Sequence, residues 1–565
     1  MPIKKTILLG ERLIQKGLIS YKDLDLGLKE HQRTGQFLGT TLVKLGFIEE
    51  DKLYPVLSEQ LKIPYLKIKD LAIPHEVFEK VPAKYACHYK LIPVKFEKDT
   101  ITIAVADPLD VRTLDDLKLL LGCDVAGVLA TESDINEGIK KYYGIGAETI
   151  EEIVDTGDRT EEIALETRKT ENIEDLVEDA SIIKFVNQIL VQGVKDGATD
   201  IHIEPYEDEL KVRYRIDGVL YDVSVPANIR YFQAAIVSRL KIMAHLDIAE
   251  RRLPQDGRIR IRVGNDELDL RISILPTQFG ESVDIRILSS AMLYSLKNLG
   301  LLSSDLDILE KLIKKPHGII FVTGPTGSGK TTTLYSCLSK INKKDKKIIT
   351  IEDPIEYQLK GVTQIQIHPR IGLSFAAGLR SMLRHDPDIM MVGEVRDFET
   401  AEITIRVALT GHLVFSTLHT NDAAGGITRL LDMGVEPYLA ASSVECFIAQ
   451  RLVRLICPQC KVKKKLDKKL LEGFKIKDDA RNVTIYESKG CEACKFSGYK
   501  GRTGLYEFLV MNEDICELAL QRASSDQIKK KALELGMHTL RMDGWEKIKR
   551  GLTTIDEVMR VTEED

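Results

Sequence analysis

The stretch Gly318-Ile-Ile-Phe-Val-Thr323 leads into Gly324-Pro325-Thr326-Gly327-Ser328-Gly329-Lys330-Thr331-Thr332 and then into Thr333-Leu-Tyr-Ser-Cys-Leu338. A short apolar run that stops at a glycine turn reads as a buried strand, and the residues after Lys330 read as a helix. Strand, glycine-rich turn and helix in that order gather backbone N–H groups around one point, where the helix N-terminus adds positive partial charge. Such a turn is a cradle for phosphate. Lys330 is the candidate for the β- and γ-phosphates, the Thr331 hydroxyl for Mg2+, and Gly324 to Thr332 for the nucleotide as a whole.

Two further apolar runs end in acids. Lys347-Ile-Ile-Thr-Ile351 stops at Glu352-Asp353-Pro354-Ile355-Glu356, and Ile389-Met-Met-Val392 stops at Gly393-Glu394. Continuous runs of this kind mark parallel strands buried on both faces, and ligands of open α/β sheets collect at the carboxyl ends of the strands. The acids and the glycine turn are therefore expected to converge. Where many phosphate-loop ATPases carry an aspartate that holds Mg2+, this chain has Gly393. Glu394 is left to orient or deprotonate the attacking water, while Glu352, Asp353 or Glu356 supplies negative charge around the metal. Between these strands, residues 375–384 read as a helix with Arg380 and Arg384 on one face. Residues 411–421 read as a strand running into a loop, with His412 and His419 around its end, and His419 is placed to sense the γ-phosphate.

A chain of 565 residues is too long for one core. With 44% hydrophobic and 29% charged residues it is ordinary globular protein, and its net charge of −6 argues against a dedicated nucleic-acid binder. No apolar run approaches the roughly 20 residues that span a bilayer, and the opening ten residues are too short a core for a signal peptide. A cytoplasmic chain, reaching a membrane only through partners, is expected. Residues 1–62 hold a repeat: Leu9-Gly10, Leu13, Gly17, Ile19, Leu24 and Leu28 recur 29 positions later as Leu38-Gly39, Leu42, Gly46, Ile48, Leu53 and Leu57. Each unit reads as a short helix, a glycine stop and a second helix, giving a small helical docking domain. Residues 63–145 alternate strand and helix patterns, as a second docking domain of α/β type. Residues 146–179 read as an acidic flexible linker, since 148–179 carry thirteen acids against three basic residues. Residues 180–292 form another α/β domain dense in arginine, in which Arg213 and Arg215 share one face of a strand and are candidates for neutralising a γ-phosphate. The core around the phosphate turn spans 293–450, a cysteine-bearing lobe 451–505, and helices fill 506–565.

That lobe carries Cys457-Pro-Gln-Cys460 and, thirty residues on, Cys491-Glu-Ala-Cys494. Four thiolates in two such pairs suit a closed tetrahedral zinc site, which is structural rather than catalytic. The other five cysteines are scattered in apolar surroundings and read as buried thiols. Lysines 461 and 463–465, with Lys468 and Lys469, make the intervening arm basic.

The boxes together resemble the secretion ATPase superfamily. Gly324–Thr331 looks like its phosphate loop and Ile351-Glu-Asp-Pro-Ile-Glu-Tyr357 like its aspartate box. Residues 383–388 with Gly393-Glu-Val-Arg-Asp397 look like its Walker B box, and Thr410-Gly-His412 with Ser416-Thr-Leu-His-Thr-Asn-Asp422 like its histidine box. The resemblance, which includes Arg213-Tyr-Arg-Ile-Asp-Gly218 and Leu253-Pro-Gln-Asp-Gly-Arg258, covers 180–505. It implies a RecA-like core preceded by a smaller PAS-like α/β domain, and a homo-hexamer on the cytoplasmic face of an inner membrane. ATP hydrolysis with Mg2+ would drive it, and residues 1–145 would meet platform proteins. Residues 423–437 and 449–454 look more like the type II secretion branch than the type IV pilus-assembly branch, and the cysteine pairs exclude the pilus-retraction branch. The helical repeat is similar to domains of this superfamily that bind cyclic di-GMP through paired Leu-Gly motifs. Here the arginine of those motifs is replaced by Leu8 and Phe37, and the first unit ends in His31 where the second has Gln60. Leucine cannot supply an arginine's two-pronged phosphate contact, so docking without nucleotide is the competing reading. A nucleic-acid translocase and a non-hydrolysing nucleotide sensor are the remaining alternatives.

Overall fold

The computed structural model describes residues 9–35, 37–107, 111–147, 149, 180–264, 266–289, 295–465 and 484–562. Nearly all of the expected acidic linker, and the part of the basic arm with Lys468 and Lys469, lie outside the described residues. Two compact units result, one of residues 1–263 and 270–287 and the other of 264–269 and 288–565.

In the first unit the repeat folds as read. Helices Leu9–Gln15 and Tyr21–Thr34 are followed by Leu38–Lys44 and Glu50–Leu61, with Gly17 and Gly46 in the left-handed region at φ of 68° and 74°. The glycine of each Leu-Gly pair is where the two helices of a unit meet. A Cβ on Gly10 would come within 2.5 Å of Leu24, and one on Gly39 within 3.1 Å of Leu53. Leu13, Ile19, Leu42, Ile48, Leu53 and Val56 close the core. Next come β1 (Leu91–Glu97), β2 (Thr100–Val105) and β3 (Asp124–Leu129), paired in that order, with β1 and β2 antiparallel. Helix Val111–Leu121 makes the crossover that the parallel β2–β3 pair requires. The third part pairs β4 (Ala198–Pro205), β5 (Leu210–Ile216), β6 (Val219–Val223), β7 (Gln255–Val263), β8 (Asp266–Thr277) and β9 (Gly280–Ser289) in the order β6-β5-β4-β9-β8-β7. Helices Ala180–Lys195 and Gln233–Met243 share its core.

The second unit is built on one sheet. Its strands are β10 (Gly318–Thr323), β11 (Ile348–Glu352), β12 (Thr363–Gln366), β13 (Ile389–Val392), β14 (Leu413–Leu418) and β15 (Val444–Ile456). After them, β16 (Lys461–Lys465) and β17 (Thr484–Ser488) form a separate antiparallel pair in the cysteine lobe, and β18 (Tyr499–Val510) returns to the main sheet. The order is β12-β11-β13-β14-β10-β15-β18, parallel throughout except for β15 with β18. Every residue of β10, β11, β13 and β14 is buried, as continuous apolar runs demand.

Three expectations need correction. The boundaries drawn at 450/451 and 505/506 cut through β15 and β18, so the motor sheet continues past them and the lobe itself lies between Cys457 and Gly498. The C-terminal helices are not separate either: Ile515, Ile528, Trp545, Ile548 and Val558 belong to the core that covers one face of this sheet. The helix expected over 375–384 ends at Met382, and Arg384 lies on a tighter 3-10 turn, Leu383–His385. Among the described residues no helix is long and apolar enough to cross a membrane.

Candidate functional site

The turn between β10 and helix Lys330–Ile341 is shaped by its glycines. Gly324, Gly327 and Gly329 take φ of 148°, 79° and 87°, a region that side chains disfavour. Space forbids a side chain as well. A Cβ on Gly324 would lie 2.5 Å from the Gln450 carbonyl oxygen, and one on Gly329 would lie 2.8 Å from Gln450 Nε2. Inside this turn the Ser328 hydroxyl is buried and has no hydrogen-bond partner among the described residues. An orphaned donor among converging backbone amides, at a helix N-terminus, fits an anion. Lys330 Nζ donates to the carbonyls of Gly324 at 2.7 Å and Pro325 at 3.0 Å. Burial pulls its pKa down to about 8; Glu394 works against the shift and Arg451 adds to it. Thr331 and Thr332 stand half-buried in the first helical turn.

β14 separates β10 from β13, so the loop after β14 stands between the phosphate turn and Glu394. Glu394 Oε2 lies 3.3 Å from His419 Nε2, and Oε1 lies 2.7 Å from the exposed Arg396. Its backbone is held from both sides: Gly393 N–H donates to Ile351 O at 2.8 Å, Thr417 Oγ1 to Gly393 O at 2.7 Å, and Val395 N–H to Thr417 O at 3.1 Å. That closeness explains the missing aspartate. A Cβ on Gly393 would press within 3.3 Å of Glu352 Cα and Ile351 O, both backbone atoms of β11.

The other candidates divide. Glu352 is buried and already engaged: it accepts from Tyr335 Oη, from Thr350 Oγ1 at 2.6 Å and from Gln364 Nε2 at 3.1 Å. Burial and this carboxylate push the Tyr335 pKa upward, so the phenol keeps its proton. Glu352 therefore braces the end of β11 and faces helix Lys330–Ile341 rather than the loops, while Asp353 is exposed and Glu356 half-buried beyond the strand end. His412 does not join His419. It precedes β14, at the opposite end of the strand, with Nδ1 3.0 Å from Val407 O. Arg380 pairs with Glu399 at 2.6 Å, and Arg384 donates to Arg380 O at 2.9 Å and Ser381 Oγ at 3.1 Å. In the first unit Arg213 grips Glu204 with two hydrogen bonds of 2.6 and 2.7 Å, and Arg215 lies 3.9 Å from Asp200 and donates to Gly218 O at 3.2 Å. Gln450 and Arg451, which line the phosphate turn, were not singled out as site residues; their segment carried only a resemblance.

Sγ atoms of Cys457, Cys460, Cys491 and Cys494 all lie within 4.8 Å of one another. Three of the separations are 3.7, 3.8 and 3.7 Å. A tetrahedron with zinc–sulfur bonds of about 2.3 Å has edges of about 3.8 Å, so these three separations match the edges of a zinc site. Burial alone would raise the Cys494 pKa, but the N–H groups of Cys491 and Gly498, at 3.1 and 3.2 Å from its Sγ, hold it down to about 7. Lys461 ties the lobe to the body through Gly551 O at 2.6 Å.

With this geometry in place, comparison with known proteins is decisive. The type II/IV secretion system protein family matches residues 175–560. The chain belongs to that family. It is an ATP-hydrolysing motor in its family class, and the MshEN domain matches residues 61–149. A type IV pilus assembly ATPase, PilB, of Myxococcus xanthus is 45% identical, with 99% of each chain covered. Type II secretion system protein E of Xanthomonas campestris pv. campestris is 43% identical, with 98% of each covered. Among solved structures, the Legionella pneumophila ATPase DotB aligns with a TM-score of 0.51 at 21% identity, over 68% of this chain and 96% of that one, a likeness of fold.

Proposed function

We propose that this chain is the cytoplasmic motor of a type II secretion system, hydrolysing ATP to drive pseudopilus assembly and the export of folded proteins. The observation that supports it best is the approach of His419 to Glu394 beside the Lys330 turn, in a member of a family in which the type II secretion protein E of Xanthomonas campestris pv. campestris aligns over 98% of each chain. In this reading Lys330 holds the β- and γ-phosphates, and the turn from Gly324 to Thr332 wraps them with backbone N–H groups. Mg2+ held by Thr331 would neutralise charge on the phosphate oxygens. Glu394 orients the attacking water and accepts its proton, and His419 holds the second carboxylate oxygen while registering the γ-phosphate. Asp353 and Glu356 add negative charge near the metal. Arg213, Arg215, Arg380 and Arg384 are the candidates for neutralising charge on the γ-phosphate in a homo-hexamer. Zinc in the four-cysteine lobe is structural. Residues 1–145 dock on cytoplasmic parts of inner-membrane platform proteins. The repeat serves this docking without nucleotide: its glycines are accounted for by helix packing, and Leu8 and Phe37 stand where arginines would grip cyclic di-GMP.

The second reading, type IV pilus assembly, has the same chemistry and draws on the 45% identity to a pilus ATPase over its full length. Deleting the gene separates them. Loss of extracellular enzymes with surface pili intact supports secretion, and loss of pili with secretion intact overturns it in favour of the pilus.

A further inference from the structure

β15 flanks β10 on the side away from β14, and its middle presses on the phosphate turn. Gln450 Oε1 accepts from Thr333 Oγ1 at 2.8 Å, and its backbone and amide occupy the space that side chains on Gly324 and Gly329 would need. The next residue, Arg451, is only 9% exposed and links β15 to the loop after β14. Its Nη1 donates to Gln450 O at 3.1 Å, beneath the turn, and its Nη2 to Asn421 O at 2.8 Å and Asn421 Oδ1 at 3.3 Å. A Cβ on Gly324 would lie 3.1 Å from that Nη1, so the guanidinium fills the space beside the turn that a side chain there would need.

The loop it reaches is fastened residue by residue. His419 faces Glu394, and Thr420 meets Thr323 at the end of β10, with Oγ1 to Oγ1 at 2.6 Å and Thr420 N–H donating to Thr323 Oγ1 at 2.9 Å. Asp422 pairs with Lys529 at 3.4 Å, and Ala423 N–H donates to the buried Glu507 Oε1 at 2.8 Å. Among these anchors, Arg451 is the one whose single side chain spans from under the phosphate turn to the loop that carries the histidine. A planar guanidinium can hold both sets of acceptors at once, whereas an ammonium cannot match that fork.

We propose that Arg451 is a positioning residue for ATP hydrolysis: it braces the loop from His419 to Ala423 against the phosphate turn and so keeps the Glu394–His419 pair in register with Lys330. This rests on Lys330 and Glu394 forming the hydrolytic site. The charge of Arg451 is a separate contribution. It adds to the burial that lowers the Lys330 pKa, against Glu394, while the Gly324 and Pro325 carbonyls accept hydrogen bonds from the lysine's ammonium.

The test uses the full-length, zinc-bearing protein. It compares wild type, Arg451→Lys, Asn421→Ala and the double variant by MgATP turnover and by ADP affinity across pH. Arg451→Lys keeps the charge and loses the brace. Its kcat is expected to fall about tenfold or more with KM within about twofold, and ADP affinity should decline at the wild-type pH. Asn421→Ala removes one acceptor from an exposed loop residue and should lower kcat about threefold, with the double variant no slower than Arg451→Lys. A wild-type kcat in Arg451→Lys, a loss confined to KM, or losses that multiply in the double variant would each overturn the proposal. Should Arg451→Lys fail to fold, an unchanged kcat in Asn421→Ala overturns it. A wild type that releases no phosphate in the same assay contradicts instead the hydrolytic reading beneath it.

Discussion

Glu394 and Lys330 approach the same point from different strands, and each makes a separate prediction. Replacing Glu394 by Gln keeps its shape and its contact with His419 while removing the proposed base. kcat should fall by about 10²- to 10⁴-fold, with ADP affinity within a few-fold of wild type. Initial-rate and ADP-titration measurements read both. Lys330 carries its charge below a pKa of about 8 and loses it above. Because phosphate binds the ammonium form, ADP affinity should be flat from pH 6.5 to 7.5 and decline as pH passes about 8, far below the ordinary lysine range. Both residues were legible in the sequence, since each sits at a fixed place relative to a strand end. Gln450 and Arg451 were not. They reach the turn across neighbouring strands from more than a hundred residues away, and no local spacing encodes such a contact. His412 lies away from His419 because it precedes β14, at the amino end of a strand whose carboxyl end carries the site.

At the scale of elements, β15 and β18 run without a break from the phosphate turn into the four-cysteine lobe, where Cys457 N–H donates to Gly498 O at 2.9 Å. Purified protein should carry about one zinc per chain by elemental analysis, and Cys491→Ser should lose it, because a site of three thiolates is no longer closed. Helix Leu540–Lys549 is pinned to β18 by Asp543 and Lys547, both buried, 2.6 Å apart, with Tyr506 N–H and Gly504 O as further partners. Burial pushes the carboxyl up and the ammonium down, and each partner opposes the other's shift. Asp543→Ala removes the carboxylate hydrogen-bonded to the buried Lys547, leaving Asp305 as a weaker electrostatic partner, and should cost about 3–5 kcal/mol. Pairing Asp543→Leu with Lys547→Met should recover most of the lost melting temperature. The cysteine pairs announced their lobe through spacing alone. The strand boundaries around them were hidden, because β15 carries Arg451 and Arg454 where a buried strand was not expected to continue.

For the molecule as a whole, the helical repeat could be read from the periodicity of one buried face, and the parallel motor sheet from continuous apolar runs buried on both faces. Packing of the C-terminal helices into the motor core could not, because their apolar stripes do not say which sheet they cover. The acidic balance of the chain bears on function. Duplex DNA should leave ATP turnover unchanged, and stimulation would restore the translocase alternative. The measurement that reaches the central claim most directly is release of inorganic phosphate from MgATP by the full-length protein, zinc-loaded and supplied with its membrane partner. Steady release that disappears in both Lys330→Ala and Glu394→Gln is the predicted result. No release above the blank while ADP still binds, or release undiminished in Glu394→Gln, would contradict the account.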